Sequence, residues 1–370
     1  MNKKLLSIGL IVLSGLFLTG CSSSKSVANL SVDSESYIIQ KEDKKDSKTT
    51  TLALEVTLEN TSKKTLENVY QGDFSLHDKD GNQISASTGV YDQSGEFQTM
   101  QGFSLNPGKK QTEYLAFNVD RGEKYELHYK PSIYTKKKIK DSIVEIDTSK
   151  VSDSSSEMKD LVASYVNQVF MNKTSDTNKL ETKDGEEVQN LSTNKNERET
   201  ALDININKAK EDFETEFSKR LVSDLQSTGA TYEPSSDEIK KVISAVQKRN
   251  FSKGKVEYNV AELFPTSAIV YIKPKVVALD SIDMTAIIEN KMKKVDTTDM
   301  EKALNSAAKV LIQELPKEIE KAEVQSPSLM SEEGYKLTLS KDKEGKWSFE
   351  TSDYSYKDLE TAFMAGEDKY

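Results

Sequence analysis

Few side chains in this sequence could do covalent or metal chemistry. There is one cysteine, Cys21, and there are two histidines, His77 and His128, in 370 residues. Cys21 is the sole thiol nucleophile and ends the string Leu18-Thr19-Gly20-Cys21. No HExxH, Cys-x-x-Cys or histidine cluster occurs, so the pattern calls for no transition metal and no cofactor. Beyond His128 there is neither histidine nor cysteine, which removes every triad or dyad that needs one. The nucleophile-elbow string Gly-x-Ser-x-Gly is missing. The run from Gly102 to Gly108-Lys109-Lys110 has five intervening residues where a P-loop has four, and no Ser or Thr after the lysine. It reads as a hairpin turn. Asp78-Lys79-Asp80-Gly81 places its glycine two residues too early for a calcium loop and reads as a turn. The carboxylate pairs Glu186-Glu187 and Glu332-Glu333 read as solvated acids.

The chemistry left over belongs to Cys21. Lys3 and Lys4 form a short positive start, and 5–18 is apolar except for small residues. As a helix that run would be about 21 Å long against roughly 30 Å of hydrocarbon, too short to span and typical of a secretory leader. A large apolar residue, two small ones and a cysteine resemble the lipobox of bacterial lipoproteins. The resemblance implies a diacylglycerol thioether on Cys21 and cleavage between Gly20 and Cys21. The membrane is then the first partner, reached through lipid at the extracytoplasmic face. Two acyl chains meet the two-signal requirement for a stable anchor, each buried methylene giving about 0.8 kcal/mol. The leader's tail, 13–20, also resembles the enterococcal sex-pheromone peptides cut from lipoprotein leaders.

The formal net charge is −10, and loss of 1–20 removes two lysines and no acid. An acidic chain disfavours nucleic acid and peripheral adhesion to anionic lipid. The only basic run is Lys136-Lys137-Lys138 with Lys140. It reads as a solvated loop or lysine-protected edge, with contact to anionic lipid or teichoic acid as the functional alternative. No second apolar run is long enough to span a bilayer. No cysteine remains for a disulfide, so an exported chain depends on packing, as on a Gram-positive surface.

Residues 21–26 are serine-rich and read as a lipidated tether. Period-two alternation starts near Val27. Leu30 and Val32, then Leu52, Leu54, Val56 and Leu58, mark half-buried strands. Asn60-Thr61-Ser62 is a turn, Phe74 and Leu76 lead to a hairpin at Asp80-Gly81, and 114–119, 125–129 and 143–146 supply further strands. Short strands punctuated by turns, with no helix, make 27–149 an all-β sandwich. The Glu59-Asn60-Thr61-Ser62 strand end, the Asp73-Phe74-Ser75-Leu76 hairpin and Leu105-Asn106-Pro107-Gly108 resemble immunoglobulin-like (telokin-like) domains of Gram-positive lipoproteins. That resemblance implies fold and location and no catalytic residue.

After a serine-rich boundary at 150–156 the period changes. Met158, Leu161, Val162, Tyr165, Val166, Val169 and Phe170 form one helical stripe. Ala209, Phe213, Phe217, Leu221 and Leu225 step by four, and the helix stops near Gly229. Ser235 and Glu238 form a capping box, and Thr298 with Glu301 resembles another. Val256, Tyr258 and Val260 alternate; 268–279 is β-branched, with Pro274 marking an edge or bulge. The amphipathic helix from Met300 is expected to be interrupted at Pro316. A closing hairpin carries Leu337, Leu339, Trp347 and Phe349, and a short helix ends the chain. Helices with antiparallel strands make 157–370 an α+β domain. Its final hairpin, Tyr335-Lys336-Leu337-Thr338-Leu339 with Gly345-Lys346-Trp347-Ser348-Phe349, resembles the cystatin/NTF2-like cone. The whole region resembles the uncharacterised C-terminal domain of Listeria- and Enterococcus-type lipoproteins, with a helical insertion at 281–322. In such a cone Val256, Tyr258, Val270, Ile272, Trp347 and Phe349 are the positions that could line an apolar pocket.

Three functions follow in order. The first is a lipid-anchored surface protein that binds or scaffolds an unknown cell-surface protein or small ligand, without catalysis. The second is a solute-capturing lipoprotein with an apolar pocket. The third is a carboxylate-only hydrolase, which needs two acids about 5–9.5 Å apart across one cleft.

Overall fold

The computed structural model describes residues 26–40, 48–131, 139–173, 201–292, 299–328 and 330–365. The lipobox Leu18-Thr19-Gly20-Cys21, Lys136-Lys137-Lys138 and Glu186-Glu187 lie outside the described residues. The chain forms two compact units. Among described residues the first holds 26–37, 48–91 and 98–152, and the second 38–40, Asp92–Phe97 and 153–365.

The first unit is β-rich. Strands β1 (Ala28–Ile38), β2 (Thr49–Asn60) and β7 (Lys110–Asp120) form one antiparallel sheet in the order β1-β2-β7. Strands β4 (Phe74–His77), β5 (Gln83–Ser85), β8 (Lys124–Tyr129) and β9 (Ser142–Asp147) form another, ordered β5-β4-β8-β9. Alternation explains why both sheets feed one core. Leu52 and Leu54 stand opposite Phe117 and Leu115, and join Leu76, Leu127 and Tyr129 of the other sheet in a single buried cluster.

A further pair, β3 (Leu66–Val69) and β6 (Phe103–Leu105), is too short and irregular for alternation to reveal. Asn68 sits there at φ 52 and breaks the register. The Gly102–Lys110 run is a turn but not a hairpin, because β6 pairs with β3 while β7 pairs with β2. Gly108, at φ +70, serves that turn and donates its N–H to Asn60 O at 2.8 Å. Asn60 is fully buried. Its amide donates to Lys64 O (2.8 Å) and Leu105 O (2.7 Å) and accepts from Ser62 N (2.9 Å), which ties the strand end to two neighbouring segments. Asp78 accepts from the N–H groups of Asp80 and Asn82, which makes the Asp78–Asn82 stretch a self-contained turn.

The second unit mixes helices with a five-stranded antiparallel sheet, β10 (Lys255–Leu263), β11 (Ser267–Val277), β13 (Tyr335–Lys341) and β14 (Trp347–Phe349), with β12 (Val324–Gln325) beside β11. Helices α1 (Ser155–Val169), α2 (Ile206–Ser227), α3 (Ser236–Lys253), α4 (Met284–Met292), α5 (Met300–Ile319) and α6 (Tyr354–Phe363) complete it. Helix α1 packs on β10, α3 on β11, and α6 on β11 and β13. Their apolar stripes meet in an aromatic cluster where Phe170 stacks on Phe363 (ring centroids 4.9 Å) and lies 5.1 Å from Phe213. The hydroxyls of Tyr165 and Tyr356, buried in that cluster, bond to each other at 2.6 Å, so neither is stranded.

Three local expectations need correction or refinement. Helix α5 is capped by Asp299, whose side chain accepts from Lys302 N, and Thr298 lies outside the described residues. It runs through Pro316 to Ile319. A proline in a helix interior costs about 3 kcal/mol, and here Leu315 and Ile319, both buried, hold the last turn in place. Pro274 lies in a central strand. It faces Val256 of β10, while on its other side β13 pairing ends at Ile272 and β12 pairing begins at Val276, so no neighbour needs its missing N–H. Gly334, at φ +100, lets the chain pass Ile272: a Cβ there would stand 2.6 Å from Ile272 O.

Candidate functional site

The six expected pocket residues do share one face of the second unit's sheet. Register pairs Tyr258 with Ile272, Val260 with Val270, and Leu339 with Phe349. That face is the one the helices cover. Val270 and Ile272 are fully buried in the core, and Val256, Tyr258, Trp347 and Phe349 pack half-buried against it. Phe349 meets Tyr165 edge-on at 4.8 Å, and Lys341 sits over the Trp347 ring at 5.4 Å. Burial raises the Tyr258 hydroxyl pKa above its ordinary range. An alternating apolar face predicts this packing and a ligand pocket equally well.

The opposite face carries a cleft of about 130 Å³. Its floor comes from Ser267, Ala268 and Ile269 of β11, its sides from Glu262 of β10 and Lys336 and Thr338 of β13, and one wall from 92–94. A β-bulge sets the chemistry. Val260 faces Val270, but Glu262, two residues on, faces Ile269, leaving Ala261 as the extra residue. Were the ladder regular with every residue paired, Ala261 would oppose Ile269, Glu262 would face the core and Leu263 would leave it. With the bulge, Leu263 stays buried opposite Ala268 and Glu262 turns into the cleft at 7% exposure.

The 92–97 wall is built by its own hydrogen bonds. Asp92 Oδ2 accepts from Ser94 Oγ at 2.6 Å and Oδ1 from Phe97 N at 3.1 Å, and Asp92 N donates to Phe97 O at 3.1 Å. Gly95 at φ +79 makes the turn. Thr266 Oγ1 donates to Glu96 O at 2.9 Å, and the Phe97 and Phe264 rings lie 5.2 Å apart, which fixes the wall within the unit. Burial pushes the Asp92 carboxyl up. The polar groups of Ser267 and Ser94 and the N–H groups of Phe97 and Gly95 outweigh it and hold Asp92 below the usual carboxylate range. Ser267 thus favours ionised Asp92 from nearby, yet its buried hydroxyl has no hydrogen-bond partner of ordinary geometry. Lys336 donates its backbone N–H to Ser355 Oγ at 2.7 Å, and its ammonium pairs with no carboxylate among the described residues.

This arrangement can bind, because it presents fixed charges and a hydroxyl in a small wet space. No histidine stands beside Ser267: both lie in the first unit. Those two rings lie 4.1 Å apart, tilted by 33°, His128 Nε2 lies 3.0 Å from Glu126 Oε2, and Ser75 Oγ lies 3.1 Å from His77 Nε2. Among the described residues no group of three or more His, Cys, Asp or Glu is placed to hold a metal ion. Also among them, no helix is long and apolar enough to cross a membrane.

The class of protein so defined has a β-rich unit, then a mixed helix-and-sheet unit bearing a small polar cleft. Residues 22–139 match a Domain of unknown function (DUF4352), and 191–364 match a Domain of unknown function (DUF5105). The chain is similar along almost its whole length to the Uncharacterized lipoprotein YcdA of Bacillus subtilis (strain 168). The two are 24% identical over 384 aligned positions, covering 98% of this chain and 99% of that one. The crystal structure of YcdA from that organism aligns with 93% of this chain and 98% of its own at a TM-score of 0.57 and 22% identity, which shows a shared fold. The yjhA protein of Bacillus subtilis and an uncharacterized β-sandwich protein of Clostridium difficile 630 each align with about a third of the chain. They cover 34% and 35% at 22% and 13% identity, with TM-scores of 0.24 and 0.22.

Proposed function

We propose that this is a lipid-anchored surface lipoprotein, held at the extracytoplasmic face of the cell membrane through diacylglycerol on Cys21, that binds or scaffolds without catalysing a reaction. The observation that carries the reading is the string Leu18-Thr19-Gly20-Cys21 after a short apolar leader, in a chain similar end to end to a Bacillus lipoprotein. The first unit is read as an immunoglobulin-like sandwich, supported by its two antiparallel sheets around one core. The second is read as a cystatin/NTF2-like module, supported by helices packed on one face of an antiparallel sheet. Expression of the full chain and of Cys21→Ala, followed by detergent phase partition, tests the anchor. The parent enters the detergent phase and the variant stays in the aqueous phase or keeps its leader. Equal partition of the two refutes the reading. Capture of a small solute in the second unit is a further reading, and the preformed polar cleft favours it.

A further inference from the structure

We propose that the cleft of the second unit binds a small α-amino acid in its zwitterionic form. The inference rests on the solute-capture reading above. Three features lead to it. Asp92 is a buried carboxylate, 4% exposed and held ionised by its loop. Lys336 lines the same cleft, and its ammonium pairs with no carboxylate among the described residues. Ser267, a buried residue lining the same cleft, has a hydroxyl with no hydrogen-bond partner of ordinary geometry, a state that native interiors rarely leave uncompensated.

A lone anion drawn to Lys336 would meet Asp92 and Glu262 at once. A lone cation drawn to the carboxylates would face Lys336 and leave it unpaired. A molecule carrying both charges a few ångströms apart satisfies each. Its ammonium points to the Asp92 and Glu262 side, and its carboxylate accepts from Lys336 Nζ and from Ser267 or Thr338. Charge-assisted bonds of this kind are stronger than neutral ones in a low-dielectric site. The size agrees. About 130 Å³ holds roughly four waters at about 30 Å³ each, the space of a few heavy atoms. The site is also preformed, because the bulge on β10 and the bonded 92–97 wall fix the charged groups before any ligand arrives.

Calorimetric titration of the full lipidated chain in detergent micelles with alanine, ethylammonium and propionate tests this. Alanine should bind at least tenfold more tightly than either half-molecule, and leucine more weakly than alanine because its side chain exceeds the cleft. Lys336→Gln, at the rim, should lower alanine affinity at least tenfold to the level of ethylammonium and leave ethylammonium unchanged. Ser267→Ala should weaken alanine several-fold. A melting scan of each variant confirms that it is folded. Alanine showing no heat at tens of millimolar, binding no better than its halves, or binding Lys336→Gln as well as the parent overturns the proposal. Such a failure leaves the anchor intact, since detergent partition of the same preparation reports on Cys21 alone.

Discussion

Exchanging Glu262 and Leu263 should severely weaken the second unit, while deleting Ala261 should not. The bulge lets β10 place Leu263 in the core and Glu262 in the cleft. Deleting Ala261 takes out the extra residue, so Val260, Glu262 and Leu263 keep Val270, Ile269 and Ala268 as partners in a regular ladder. The exchange, Glu262→Leu with Leu263→Glu, keeps the bulge and sends a carboxylate to the core position. Leu263, now 4% exposed, would lose its burial, worth about 1.5–3 kcal/mol. The glutamate in its place, opposite Ala268, would either take up a proton or impose a cost of roughly 2–4 kcal/mol more. The sum, roughly 3.5–7 kcal/mol, is a large share of the 5–15 kcal/mol by which domains are typically stable. At about 2–4 °C per kcal/mol for a unit of this size, calorimetry should show the transition of the exchange variant fall by at least about 7 °C. The first unit's transition should stay in place. The Ala261 deletion is the control and should shift far less. An exchange variant melting within about 2 °C of the parent, or a deletion variant that falls as far as the exchange, would refute the bulge as the device that sorts Leu263 from Glu262.

Asn60→Ala should cost about 3 kcal/mol, from three side-chain hydrogen bonds at roughly 1 kcal/mol each, read as a lowered urea midpoint of the first unit. An unchanged midpoint would mean the turn closes without that amide. The Glu238 carboxyl is pulled down to about 2, first by Ser235 N–H, then by Gln313 and Tyr232. A depressed folded-state value means stability that is present above the ordinary carboxylate range and lost as pH falls from there toward 2. Melting followed from pH 6 to pH 2 should therefore decline less steeply in Glu238→Gln than in the parent, and parallel curves would refute the capping-box account.

Much of the fold was legible because burial obeys backbone periodicity. Leu52 to Leu58 alternate with polar residues, and one face of that strand is core. Phe213, Phe217, Leu221 and Leu225 recur by four, and all are buried along α2. The Ser235–Glu238 capping box is a local signal and forms as read, with Glu238 Oε2 accepting Ser235 N at 3.0 Å. Features set by distant contacts left no such mark. Nothing local in Asp92–Phe97 says that it packs with the second unit, where Phe97 meets Phe264. The bulge at Ala261 follows from which residues oppose it, and a chain read alone has no opposing strand. The cleft was missed for that reason: its residues come from four separate segments and share no motif. The expected apolar positions were found together, yet alternation could not distinguish a lining from a core. Pro316 was overread, since a proline one turn from a helix end is outweighed when the following turn is buried.

Cys21 carries the central claim, and mass spectrometry of the exported protein's first peptide tests it most directly. The account predicts a mature chain whose first residue is Cys21, heavier by a thioether-linked diacylglycerol. An exported protein that still begins at Met1, or whose Cys21 carries a free thiol, would contradict it.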